Sequence, residues 1–279
     1  MSRRAVVSLI SLTGKIRHNA GMMRTDAKLI AITRELNEAI GSCELTFLPR
    51  VSIDPDLAQR QHEQYQAALE SLGCEILTVP TEQGLADSVF IEDTALILDD
   101  IAVLLRPGSR SRRPELDGVE RVLRRYRSLE SIKAPGTLDG GDLLRIDKVI
   151  FAGVSSRSNE NGIEQLRNIV ADYGYSVKMV ETTMCLHLKS AVSAVAPGTL
   201  LINPEWVSRS AFDAYELVDI DAQEAHAANA LLVGQGVIYP SSFPRTTDAL
   251  VDRGIDVIPV DLSELQKAEG AATCCSLIL

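Results

Sequence analysis

Apolar positions recur at helical spacing in five stretches of the chain, 56–72, 115–129, 161–173, 204–215 and 245–253. Each opens near a residue that caps or starts helices, such as Asp54, Asn159 or Pro204. Each is followed by a short β-rich run, at 74–79, 131–134, 176–180, 216–220 and 255–260. After the first four comes a further pair of predicted strands: 89–98 with 101–105, 142–146 with 149–152, 191–195 with 200–202, and 229–233 with 237–239. Predicted helices therefore begin near 54, 115, 160, 204 and 245, a period of about 45 residues that suits one supersecondary unit per repeat. The fifth unit ends one strand short, at 275–279, and an orphan strand at 29–33 can complete it. The expected fold is a circular array of five α/β units, a propeller closed by the N- and C-terminal strands, which leaves no exposed sheet edge. No long Pro/Gly/Ser linker interrupts the pattern, so 28–279 is taken as a single domain.

Composition narrows the setting. With 46% hydrophobic and 24% charged residues the chain has enough apolar surface for a globular core, which excludes a disordered tail protein. No apolar run approaches the ~18 residues of a membrane helix, and a net charge of −10 lacks the basic face that nucleic acid requires. Neither a membrane nor nucleic acid is an expected partner, whereas a small cation is compatible with the charge. A homo-oligomer is equally compatible. Five scattered cysteines show no framework spacing, which points to a reducing, cytoplasmic compartment. The first 27 residues carry Arg3, Arg4, Lys15, Arg17 and Arg24 against Asp26 alone, leaving −14 on 28–279. Residues 1–27 lack a secretory cleavage site and read as a basic extension, either disordered or not native, with Met22 or Met23 as the alternative start.

The unusual polar residues cluster at one place in each unit, between the strand after the helix and the strand pair. Asp87, Glu92 and Asp93 fall there in the first unit, Asp139 and Asp142 in the second, His187 in the third, Asn229 in the fourth and Cys274 in the fifth. In a ring of like units such positions meet at the axis. Each also has a plain structural reading. His187 alternates with leucines like a core histidine, Cys274 and Cys275 resemble small buried apolar residues, and Asp139-Gly140-Gly141-Asp142 is a turn sequence. The stretch 87–93 is less easily set aside, because period-two alternation puts Asp87, Val89, Ile91 and Asp93 on one strand face with acids at both ends. Buried acids need a cationic or hydrogen-bonding partner.

A thiol, an imidazole and several carboxylates suggest nucleophilic catalysis. The carboxylates have the wrong sign to stabilise an oxyanion and the right sign to hold a guanidinium by forked hydrogen bonds. A bound cation would favour the thiolate, and the histidine would protonate the departing amine and then activate water. A zinc site from Cys185, His187, Cys274 and Cys275 lacks the usual ligand spacing, and no phosphate-cradling glycine motif is present. No metal or cofactor is expected.

Six segments then carry a resemblance: Asp87-Ser-Val-Phe-Ile-Glu-Asp-Thr-Ala95, Arg106-Pro-Gly-Ser-Arg-Ser-Arg-Arg-Pro-Glu115, Thr137-Leu-Asp-Gly-Gly-Asp142, Gly153-Val-Ser-Ser-Arg-Ser-Asn159, Leu186-His-Leu-Lys-Ser190 and Gly270-Ala-Ala-Thr-Cys-Cys-Ser276. In this order, over roughly 28–279, the chain resembles the dimethylarginine dimethylaminohydrolase family of guanidino-modifying enzymes, whose fold is the five-bladed α/β propeller known as the pentein. The resemblance implies Cys274 as nucleophile, His187 as general acid and base, and Asp139 as the acid orienting it. It implies Asp93 and Glu92 at the guanidinium, Asp87 at the α-amino group, Arg106 and Arg157 at the α-carboxylate, and Ala268 as a backbone contact. The family's lid falls on about 37–53, with Leu45 touching substrate, and Cys275 is a spectator. The implied activity is hydrolysis of Nω-methylated L-arginine to L-citrulline and a methylamine through a Cys274 thiouronium adduct. The alternatives are a deiminase or an amidinotransferase acting on arginine or another ω-substituted guanidine. The same ring fold also serves a ribosome anti-association factor, which has no reason to carry these groups at equivalent repeat positions.

Overall fold

The computed structural model describes residues 28–279, so the basic extension 1–27 lies outside the described residues. Five three-stranded sheets form. The second contains β3 (Ala95–Ile97), β4 (Ile101–Leu104) and β5 (Ser128–Ser131), the third β6 (Leu143–Ile146), β7 (Val149–Val154) and β8 (Ser176–Glu181). The fourth contains β9 (Val192–Ala196), β10 (Thr199–Ile202) and β11 (Glu216–Asp219), the fifth β12 (Leu231–Val233), β13 (Gly236–Pro240) and β14 (Asp256–Val260). In each the middle strand pairs antiparallel on one side and parallel on the other. The first sheet has the same pattern with a partner from the far end of the chain. There β1 (Ile30–Arg34) lies parallel to β2 (Glu75–Val79) and antiparallel to β15 (Leu277–Ile278), with Ala31 opposite Ile278.

Alternation along the middle strands explains the ring. In β7, Ile150 and Ala152 pack into a core shared with the second sheet, while Phe151 packs into one shared with the fourth. In β13, Val237 and Tyr239 face the fourth sheet and Ile238 faces the first. In β1, Ala31 faces the fifth sheet and Ile32 the second. Side chains alternate between faces, so a strand buried on both sides reads as a nearly continuous apolar run. Five cores, one between each adjacent pair of sheets, close the circle. The helices α1 (Pro55–Ser71), α2 (Leu116–Leu123), α3 (Glu160–Ala171) and α4 (Pro244–Val251) precede the parallel strand of their units. Asp54 and Asn159 cap α1 and α3 by accepting from Leu57 N and Gly162 N. A short α5 (Ser263–Gln266) follows β14.

Four local expectations require correction. Stretch 204–215 is not an α-helix and holds only a 3₁₀ turn at Arg209–Phe212. There the Asn203 side chain accepts Glu205 N at 3.0 Å, an Asx-type turn that competes with a helical start, and Trp206 and Val207 are drawn into the core. The helix expected over 115–129 stops at Leu123, because Ser128–Ser131 pairs with β4. That pairing also moves the strand expected at 131–134 three residues earlier. Finally, 87–94 is not strand: tight turns lead into a 3₁₀ turn at Ile91–Thr94, and only Ala95–Ile97 pairs.

Candidate active site

The loops that the repeats place at equivalent positions do meet. The 3₁₀ turns Ile91–Thr94, Gly140–Asp142 and Leu188–Ser190 pack on one another. Cys274 and His187 line one cavity, together with Asp87, Asp93, Arg157 and Ala268 of the expected residues. Arg112, Glu44 and Glu269 complete its polar wall. Its free volume is about 20 Å³, room for little more than a water molecule. A larger, mostly apolar cavity of about 240 Å³ adjoins it, sharing Leu186 and Glu269 and walled by Phe47, Trp206 and Phe243.

The double glycine of the second unit is dictated by close approach. A Cβ on Gly140 would lie 2.0 Å from the Glu92 carbonyl oxygen, and one on Gly141 would lie 2.4 Å from His187 Nδ1. Only glycine lets the backbone pass under the imidazole. The His187 ring then sits with Nε2 3.3 Å from Asp139 Oδ2, while the other Asp139 oxygen accepts Gly108 N at 2.8 Å. Asp139 itself is fully buried behind the histidine. Asp142 anchors the histidine turn by accepting Leu188 N at 2.9 Å and the Ser155 hydroxyl at 2.6 Å. Burial works against charge on the imidazole, but Asp93, Asp142 and Asp139 outweigh it and hold the His187 pKa at about 9. The ring is therefore cationic at neutral pH.

The sulfur meets the opposite field. Burial, reinforced by Glu92 and Asp93, pushes the Cys274 thiol well above its ordinary range, so it is protonated in the free protein. Glu92 is not in the cavity wall. It lies behind the nucleophile turn, where its carboxylate pairs with Lys189 and accepts the Thr273 hydroxyl at 2.8 Å, and its backbone N–H donates to the Cys274 carbonyl at 3.1 Å. Asn229 closes the network by accepting Thr273 N and donating to the Thr273 hydroxyl, both at 3.0 Å. Glu92 and Asn229 thus fix the chain on either side of the thiol.

Asp93 accepts Gly141 N at 2.8 Å and the Arg112 guanidinium at 2.5 Å. Burial opposes its charge, but His187 and Arg112 dominate and keep it ionised well below the usual carboxylate range. Arg112 also forks onto Glu115, at 3.1 and 2.9 Å, so two buried carboxylates share one buried cation. Arg106, expected at the cavity, is not there. Its backbone bridges Leu138 and its guanidinium donates to Gly136 O at 3.0 Å, while Arg112, six residues on, turns inward. Leu45 likewise packs against the core shared by the first and fifth sheets, and its neighbour Glu44 reaches the cavity instead. Arg157 keeps its expected place, with Nη1 4.0 Å from Asp139 and Nη2 donating to the Thr46 hydroxyl at 3.1 Å.

Asp93, Asp139 and His187 bring one ligand atom each within 4.8 Å of one another. Arg112, Gly141, Gly108 and the imidazole already occupy the carboxylate oxygens, so the trio fits acid–base work better than cation binding. Sequence reasoning missed Arg112, Glu44, Glu269 and Lys189. The one usable signal was Arg112 three residues before Glu115, a spacing that lets a cation fold back onto an acid.

A ring of five α/β units that gathers a thiol, an imidazolium and ionised carboxylates at its centre is built for covalent chemistry on a planar cation. The family model described as N,N dimethylarginine dimethylhydrolase, eukaryotic, matches residues 50–278. The N(G),N(G)-dimethylarginine dimethylaminohydrolase of Pseudomonas aeruginosa is 35% identical over 227 residues, covering 80% of this chain and 89% of the relative. That of Streptomyces coelicolor is 36% identical over 251 residues, covering 89% and 96%. The solved structure of a mutant Pseudomonas aeruginosa enzyme complexed with citrulline superimposes with a TM-score of 0.86 at 32% identity, covering 89% of this chain and 98% of that one. The N-terminal domain of a cyanobacterial arginine dihydrolase shares the fold, with a TM-score of 0.80 at 18% identity over 90% of this chain and 97% of that one. The chain belongs to the dimethylarginine dimethylaminohydrolase family, hydrolases acting on C–N bonds of linear amidines.

Proposed function

We propose that this protein hydrolyses Nω-methylated L-arginine to L-citrulline and methylamine or dimethylamine, with Cys274 as nucleophile. The observation that carries this reading is a single cavity in which the Cys274 thiol and the His187 imidazolium stand beside Asp93, Asp87 and Arg157. In the free protein the sulfur is neutral because burial, reinforced by the negative charges of Glu92 and Asp93, disfavours a thiolate. A substrate guanidinium beside Asp93 supplies the missing cation, and the thiol loses its proton to solvent. The thiolate adds to the central guanidinium carbon. The C–N bond to the methylated nitrogen breaks as His187 protonates the leaving amine, and a thiouronium adduct remains. Neutral His187 then takes a proton from water and the water oxygen adds to the same carbon. The C–S bond breaks as the new hydroxyl proton passes to the departing sulfur, which restores the resting thiol and releases citrulline.

Asp139 orients the imidazole and stabilises its charge. Asp87 receives the α-ammonium group and Arg157 the α-carboxylate, since Arg112 is already committed to two acids. Glu92 acts from behind, through Lys189 and Thr273, rather than by touching the guanidinium. All five cysteines are unpaired, and among the described residues no helix is long and apolar enough to cross a membrane. The unpaired cysteines support placing the chain in the cytoplasm, and the pairing of β15 with β1 supports one catalytic domain over 28–279.

The test is incubation with asymmetric dimethylarginine, monomethylarginine and arginine, followed by citrulline assay. Citrulline from the methylated compounds, lost in Cys274→Ser, supports the reading. Citrulline from none of the three overturns it.

A further inference from the structure

Segment 44–50 runs across the mouth of the catalytic cavity and is tied down by carboxylates. On one rim its own Glu44 accepts the hydroxyls of Ser109 and Ser111 at 3.2 and 2.6 Å. Over the cavity, Glu44 N donates to both Asp87 oxygens at 3.1 and 3.2 Å, and Arg157 reaches Thr46. On the opposite rim a single side chain, Glu269, takes three consecutive backbone N–H groups. Thr46 N lies 3.1 and 3.0 Å from its two oxygens, Phe47 N 2.5 Å and Leu48 N 2.7 Å from Oε1. Successive N–H groups pointing inward form a natural anion cradle.

The backbone of Glu269 is shaped for this contact. Its φ is +60°, a left-handed conformation that a residue with a side chain rarely adopts. It is held there by the turn in which Ala268 N and Gly270 N both donate to Leu265 O at 3.0 Å. Glu269 thus stands between Ala268, in the cavity wall, and the turn that carries Cys274. The free volume beneath, about 20 Å³, is far too small for an arginine-sized side chain, so the segment must lift to admit one.

We propose that Glu269 is the lid-positioning residue of this enzyme: its carboxylate, cradled by the N–H groups of Thr46, Phe47 and Leu48, holds the 44–50 segment over the cavity and lets go to pass substrate and product. Among the groups tying this segment down, Asp87 and Arg157 are the ones a bound amino acid would engage, on the function proposed above. Glu269 on one rim, with Ser109 and Ser111 on the other, is left to hold the lid whether or not the cavity is filled.

Backbone hydrogen–deuterium exchange of Glu269→Ala, without substrate, is the direct test. Exchange at residues 46–48 should speed up about tenfold or more while the strands of all five sheets stay protected as before. Glu269→Gln, which keeps one acceptor oxygen, should fall between Ala and wild type. Unchanged exchange at 46–48, or an equal rise in every sheet, would overturn the proposal. In steady-state kinetics KM should rise roughly tenfold with kcat altered less than about threefold, because charged hydrogen bonds that close the complex are lost while the reacting groups stay in place. A kcat loss at constant KM would count against the latch. The exchange experiment needs no turnover, so a chain that forms no citrulline would sink the proposed reaction and leave this inference standing.

Discussion

Stability between pH 6 and 8 should fall in a way that one residue controls. His187 ordinarily titrates at 6.5 and is raised in the fold to about 9, burial being outweighed by Asp93, Asp142 and Asp139. A raised histidine stabilises the fold fully below its unfolded pKa, and that contribution is lost as pH rises through the folded value. Linkage converts the difference into roughly 3 kcal/mol at acid pH, of which roughly 2 kcal/mol is gone by pH 8. Cysteines with raised pKa values, Cys274 among them, erode stability only above their unfolded pKa of 9.0. Buried His62, lowered from 6.5 to about 4, works against His187 in this window, its neutral burial costing roughly 1 kcal/mol at pH 6 and almost nothing at pH 8. The assay is urea unfolding of wild type, His187→Gln and Asp139→Asn at pH 6, 7 and 8. Wild type should lose about 1 kcal/mol across the series, the roughly 2 kcal/mol from His187 being offset in part by His62. His187→Gln should instead gain about 1 kcal/mol, and Asp139→Asn should fall between. Parallel slopes for wild type and His187→Gln would show that the imidazole is not held as a cation by its carboxylates.

Other perturbations test other contacts. Gly141→Ala should leave the fold intact and lower kcat about 100-fold, since its Cβ, 2.4 Å from His187 Nδ1, forces the ring aside by the order of an ångström; circular dichroism with single-turnover rates checks this. Arg112→Met leaves Asp93 and Glu115 buried without their shared cation, and urea unfolding should register a loss of about 3–5 kcal/mol. Arg157→Ala should raise KM for an α-amino acid guanidine about 10- to 100-fold and hardly affect a guanidine lacking the carboxylate. Arg106→Ala, whose guanidinium is spent on Gly136 O, should change neither KM by more than about twofold.

Most of the fold is legible because each middle strand is buried on both faces and each repeat restarts with turn chemistry. Asp54 and Asn159 announce α1 and α3, and the side chains do cap them. Cys274, His187, Asp87 and Asp93 could be proposed together because a repeat makes distant loops equivalent. Asp87 and Asp93 do line the cavity, but 87–93 is no strand face: 3₁₀ and tight turns aim them inward. Choosing between Arg106 and Arg112 was beyond sequence alone. Both sit in one arginine-rich loop, and the inward one is selected by Asp93, 19 residues away, together with Glu115. Glu269 was invisible for the same reason at larger scale, its partners lying more than 220 residues earlier.

The antiparallel pairing of β15 with β1 joins Ile278 to Ala31, only four residues past the nucleophile. The resting place of the sulfur therefore does not exist until the circle shuts. A chain cut before β15 would be chemically inert however much of the other blades had formed. Turnover is thus a readout of topology: a molecule that reacts has already joined β15 to β1.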